Sequence, residues 1–131
     1  TLRNDVQFHK HGLFGKDSTR KVNANDFEYS FNRLLDKKVA SPGGWVLQNV
    51  HDFKAENDST FTINLKQPFP PFLGLLAMKY CSVVPKEAVD YFGNTFRANP
   101  IGTGPFHFKL WVENTKLVLR KNPLFFENDD N

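Results

Sequence analysis

The sequence holds one cysteine, Cys81, one methionine, Met78, and no long hydrophobic run. A single cysteine excludes an internal disulfide and leaves the compartment open, because extracytoplasmic proteins need not carry one. The longest apolar candidate, 72–78, falls far short of the roughly 20 residues that a membrane-spanning helix requires. Charge of one sign is missing too: 17 Lys and Arg against 14 Asp and Glu leave +3, interspersed rather than blocked. So weak and dispersed a charge argues against nucleic acid as a partner. No signal peptide is visible. Thr1-Leu2-Arg3 reads as the interior of a strand and the end at 125–131 closes no element, so the sequence reads as a piece of a longer protein.

What the chain has in excess is phenylalanine, 14 in 131 residues, enough bulk for a moderate core or a partner surface. Its most distinctive stretch is Asn99-Pro100-Ile101-Gly102-Thr103-Gly104-Pro105-Phe106. The prolines fix φ and push the preceding residues towards extended backbone, while the glycines permit positive φ or close approach of another chain. A run of alternating character, 106–111, follows at once. The segment reads as a shaped loop feeding a strand.

Elsewhere the patterns predict an α+β chain of small antiparallel or mixed sheets and short helices. Residues 6–9 read as a strand, followed by a polar loop over 10–21. Asn23 suits an N-cap, with Asp26 three residues on as a near capping box. Phe27, Phe31, Leu34 and Leu35 then fall at helical spacing, with Lys37 and Lys38 in the last turn and Ser41-Pro42-Gly43-Gly44 as the stop. Residues 50–55 and 60–65 read as a hairpin, with Phe61, Ile63 and Leu65 on one face. A short apolar helix over 72–78, a strand over 80–84 and a helix over 86–92 ended by Gly93 come next. The final elements are strands over 106–112 and 116–120, turning through Glu113-Asn114-Thr115.

Catalytic and metal chemistry find little support. Gly102-Thr103-Gly104 lacks the lysine and following helix of a phosphate loop, since Pro105 and a strand come next. His9, His11, His51, His107 and Cys81 are the only soft metal ligands. His9 and His11 have strand spacing, yet no second close pair accompanies them, so no metal site is expected. Cys81 and Ser82 lie in no nucleophile elbow. The carboxylates sit mostly in caps, turns and tails. Among the aromatics, Trp45 and Tyr80 flank loop or strand-end positions, where core and ligand groove are equally good readings. Lys79 beside Tyr80 could meet a carboxylate or a backbone carbonyl.

Several motifs in order carry a family resemblance. Val6-Gln7-Phe8-His9, the run from Val22 to Leu34 (Val-Asn-Ala-Asn-Asp-Phe-Glu-Tyr-Ser-Phe-Asn-Arg-Leu), Asp58-Ser59-Thr60-Phe61-Thr62-Ile63-Asn64-Leu65 before Pro68, Val83-Val84-Pro85-Lys86-Glu87-Ala88, Pro100-Ile101-Gly102-Thr103-Gly104-Pro105-Phe106 and Leu119-Arg120-Lys121-Asn122-Pro123 resemble the family 5 extracellular solute-binding proteins. These are the dipeptide- and oligopeptide-binding components of ABC importers. The loop at 10–21 is longer than the family's usual acidic-glycine turn, which sets this chain in a subgroup. The resemblance implies a fragment of an α/β two-lobe type II periplasmic-binding-protein fold. In it, 1–98 would form the extra subdomain of the first lobe, and 99–131 the return segment and hairpin entering the main lobe. It implies a non-enzymatic protein without cofactor that captures peptides, or another small solute, between two lobes. It would deliver them to an ABC permease from a periplasmic or lipid-anchored position. The segment containing Met78, Lys79, Tyr80 and Ser82, with Trp45, would line the cleft wall, and Gly102, Thr103 and Gly104 would form a structural loop. The rival readings are a metal-dependent hydrolase and a protein-interaction module without a transport role.

Overall fold

The computed structural model describes residues 1–127; 128–131, part of the unclosed end noted above, lie outside the described residues. The chain forms two compact units that interleave in sequence, Thr1–Leu2 with Asn23–Val83, and Arg3–Val22 with Val84–Asn131. This partition by contact is distinct from the expected sequential division at residue 98.

The first unit is built on helix α1, Ala24–Leu35. Asn23 accepts hydrogen bonds from the amides of Asn25 and Asp26, and Asp26 accepts from the Asn23 amide, so the expected capping box is complete. The helix stops earlier than expected. Asp36 accepts a hydrogen bond from the Lys38 amide at 2.8 Å and turns the chain, so Lys37 and Lys38 lie beyond the last turn and Arg33 is its basic residue. Strands β1, Val50–Asn57, and β2, Thr60–Leu65, pair antiparallel across a tight turn at Asp58 and Ser59. Alternation turns Phe53, Phe61, Ile63 and Leu65 towards a core of Phe31, Leu34, Val46, Leu47, Val50, Phe72 and Cys81. The ring of Phe31 meets Phe53 and Phe61 edge-on at 5.5 and 5.3 Å. Glu28 of α1 accepts a 2.6 Å hydrogen bond from the Ala55 amide, beside the register shift between Ala55 and Asn57.

Helix α2 is Phe72–Leu76, two residues shorter than expected. The strand expected over 80–84 does not form. Cys81 and Ser82 amides donate back to Met78 and Lys79 carbonyls, closing a 3-10 turn at Lys79–Cys81 in place of lateral pairing. Burial raises the Cys81 thiol pKa, so this cysteine stays a protonated packing group.

In the second unit, helix α3 spans Lys86–Phe92 and ends at Gly93, whose φ is +50°. Strands β3, Phe106–Val112, and β4, Lys116–Lys121, form the predicted second hairpin, with Asn114 at φ +57° in its turn. Residues 6–9 make only an isolated antiparallel bridge, Gln7 to Lys21. Flanking bonds from Phe8 to Arg20 and from Val22 to Val6 continue it briefly. The ladder fails at His9 because its amide donates instead to the Gly102 carbonyl, at 2.8 Å. The long 10–21 loop is thus a folded excursion, pinned at its base.

Candidate functional site

The five residues expected to line a cleft all lie in the first unit, and the structure gathers three of them. Trp45 stands in a 3-10 turn, Gly44–Leu47, that follows the Ser41-Pro42-Gly43 corner, where Ser41 Oγ accepts from the Gly43 amide. Its ring is 51% exposed. The Tyr80 ring meets it edge-on at 6.5 Å, and the Lys79 ammonium sits 5.6 Å from the Tyr80 ring centre. Tyr80 is held there by a close approach: a Cβ built on Gly43 would fall 2.4 Å from Tyr80 Cγ. Gly43 is therefore required by the Tyr80 ring, a pairing no local pattern could announce.

Met78 belongs to the margin of the core, and Ser82 is exposed. Trp45 lines an open groove of about 470 Å³ bordered by Gln48, Asn49, Lys66, Phe69 and Leu75. Its polar rim is internally paired. Lys66 donates to the Gln48 carbonyl at 2.8 Å and Asn49 to the Gln67 carbonyl at 3.1 Å. The surface is an aromatic and cationic patch beside a shallow groove. It can stack on or cover a small solute.

The Gly102-Thr103-Gly104 loop lies in the second unit, and neither positive φ nor close approach requires its glycines. Neither glycine has positive φ, and a Cβ would meet only ordinary contact at Gly102 and nothing within 4 Å at Gly104. What the loop supplies is main-chain groups. His9, 8% exposed, places Nε2 3.0 Å from the Gly104 carbonyl, and its Nδ1 accepts from the Gly102 amide at 3.3 Å. The buried Asn122 donates to the same Gly104 carbonyl at 2.9 Å, and its own amide donates to Pro105. Burial lowers the His9 pKa, outweighing the opposite pull of the Gly104 bond.

His9, His11 and His107 line a second groove of about 300 Å³ with Phe92, Pro100 and Ile101. The spacing of His9 and His11 was the one sequence signal for it. The His11 ring is turned edge-on to Phe92 and its Nδ1 accepts from the Leu13 amide. Among the described residues no three His, Cys, Asp or Glu side chains form a metal-ligating group. Missed from sequence was Arg20, which reaches Glu87 of α3 through two hydrogen bonds of 2.5 and 2.8 Å and lies 5.0 Å from the Phe8 ring centre. That guanidinium bond holds the Glu87 carboxyl below its ordinary range.

The profile of the bacterial extracellular solute-binding proteins, family 5 middle region, matches residues 1–131. The periplasmic oligopeptide-binding protein OppA of Salmonella typhimurium is 38% identical over 126 residues, covering 82% of this chain and 23% of OppA. The chain thus spans about a quarter of the length of such relatives. Among solved structures, the Helicobacter pylori periplasmic binding protein DppA in complex with the peptide STSA superposes with a TM-score of 0.79 at 30% identity. The match covers 95% of this chain and 27% of DppA. Campylobacter jejuni NikZ in complex with Ni(L-His) gives 0.79 at 27% identity, covering 97% of this chain and 24% of NikZ.

Proposed function

The chain belongs to family 5 of the bacterial extracellular solute-binding proteins, and from that premise we propose that it is part of a peptide-capturing component of an ABC importer. The observation that carries this reading is the match over 95% of the chain to a relative solved with a bound tetrapeptide. In this reading two lobes close over a peptide. Main-chain hydrogen bonds supply affinity, and roomy pockets tolerate varied side chains. The loaded protein then meets a membrane permease. Its place is the periplasm, where the OppA relatives reside by name, with lipid attachment as the finer expectation. Binding replaces catalysis throughout.

Residues 1–98 would form the family's extra subdomain and 99–131 the return into the main lobe. The second hairpin supports that division. Phe106, Leu117 and Leu119 are 58, 60 and 50% exposed on one face, while the paired Leu110 and Val118 occupy the other. Strands apolar on both faces suit the interior of a layered sheet better than a free surface. Trp45, Lys79 and Tyr80 would form part of the cleft wall, with Met78 and Ser82 flanking them. A chelated nickel complex is the second reading, favoured by the likeness to NikZ.

Calorimetry on the intact protein with a defined tetrapeptide tests both levels. Tight binding that weakens at least fivefold in the Lys79→Ala/Tyr80→Ala double variant is expected. Unchanged affinity overturns the cleft-wall assignment, and absence of peptide binding by the unmodified protein overturns the importer reading.

A further inference from the structure

We propose that His9 is a pH-sensitive latch on the Gly102-Thr103-Gly104 segment, closed while its ring is neutral and released from Gly102 when the ring takes a second proton. The geometry dictates the tautomer. Nε2 faces a carbonyl oxygen, Gly104 at 3.0 Å, and must carry the hydrogen. Nδ1 faces an N–H, that of Gly102 at 3.3 Å, and must be the bare acceptor. A neutral imidazole with hydrogen on Nε2 satisfies both partners at once.

Protonation puts a hydrogen on Nδ1, which then opposes the Gly102 N–H donor to donor. The Gly104 bond survives, but the Gly102 amide loses its partner in a half-buried place. The backbone pairing on the other side, His9 amide to Gly102 carbonyl at 2.8 Å, is strained by the same displacement. The surroundings do nothing to welcome the charge. From β3 the facing group is His107, whose ring centre is 6.1 Å away, with Lys109 on the same groove. From the 10–21 excursion the facing groups are Lys10 and His11. The last residue of α3, Phe92, and the stretch that leads into the loop, Asn99, Pro100 and Ile101, are uncharged. No carboxylate lines this groove.

The sign follows. The His9 pKa is lowered in the folded chain, by burial first and by His107 as well. The latch therefore contributes its full stability above about pH 6.5, the ordinary histidine value. That contribution is lost as pH falls from there through the depressed folded value. Within this window the opening equilibrium rises by up to about tenfold per pH unit, as a one-proton linkage requires, and then levels off.

The test is NMR on the intact protein, ¹⁵N-labelled, between pH 8 and pH 5. Imidazole ¹⁵N shifts should report the Nε2–H tautomer at pH 7.5 and show His9 titrating below the ordinary histidine value of about 6.5. Hydrogen-exchange protection of the Gly102 amide, corrected for intrinsic rates, should fall with pH in the stated window. His107→Gln should keep that fall, and His9→Gln, whose amide can still donate to Gly104, should abolish it. An Nδ1–H tautomer, a His9 that titrates at or above the ordinary histidine value, or flat Gly102 protection in the unmodified protein would each overturn the proposal. Should His9→Gln fail to fold, the tautomer and the unmodified protein's titration decide alone.

Discussion

A methyl group on Gly43 would be driven into Tyr80, with the new Cβ 2.4 Å from Cγ, 2.5 Å from Cδ1 and 2.6 Å from Cβ. Carbon atoms rest about 3.5–4.0 Å apart, so something must retreat by about 1 Å or more. Rotating the ring cannot relieve this, because the Tyr80 Cβ is itself among the clashing atoms. The 3-10 turn Lys79–Cys81 must move, and Cys81 anchors that turn in the core. Overpacking of this kind costs about 1–3 kcal/mol. Urea denaturation of Gly43→Ala in the intact protein should show a loss in that range. The Trp45 emission, taken as the difference from a Trp45→Phe variant, should shift as Tyr80 leaves its edge. Tyr80→Gly removes all three contacting atoms, so Gly43→Ala in that background should cost under about 0.5 kcal/mol, a coupling measurable by a double-mutant cycle. Equal costs in both backgrounds, or an unchanged stability and Trp45 spectrum, would refute the reasoning.

Glu28→Ala should destabilise by about 1–3 kcal/mol because it strands the Ala55 amide, whereas Glu28→Gln should recover most of that loss by equilibrium denaturation. Arg20→Lys should cost about 0.5–1 kcal/mol, since the part-exposed pair with Glu87 keeps its charge but loses its two-pronged geometry. Because Glu87 titrates low when folded, that pair's contribution is present above its ordinary carboxylate range near pH 4.5. It is lost as pH falls through the depressed value, which acid titration of stability in Arg20→Lys and the unmodified protein compares directly. The isolated 131-residue chain should bind a tetrapeptide weaker than millimolar, and a submillimolar calorimetric affinity would contradict the two-lobe account.

How far the sequence could be read follows from where each structural cause lies. The capping box at Asn23 and Asp26 and the turn at Glu113-Asn114-Thr115 are written within a few residues, and both formed. The early end of α1 is local too, but it rests on Asp36 turning back to Lys38, a weaker signal than the downstream Ser41-Pro42-Gly43-Gly44. The strands expected over 6–9 and 80–84 failed for causes that local alternation does not encode. The His9 amide is claimed by Gly102, 93 residues away, and residues 78–82 close on themselves with their apolar side chains in the core. Trp45 could be singled out because a large amphipathic ring beside a glycine corner is conspicuous. Tyr80 and Lys79 join it only through the bare Gly43 backbone. The His9, Asn122 and Gly104 network was illegible because its acceptors are carbonyls, which every residue has.

Peptide capture is tested most directly by what the intact protein carries when purified from its own cells. Native mass spectrometry, with the bound solute released by denaturation and sequenced, should find short peptides at close to one per protein. A nickel chelate or sugar in their place, or a protein that neither carries nor takes up peptide, would contradict it.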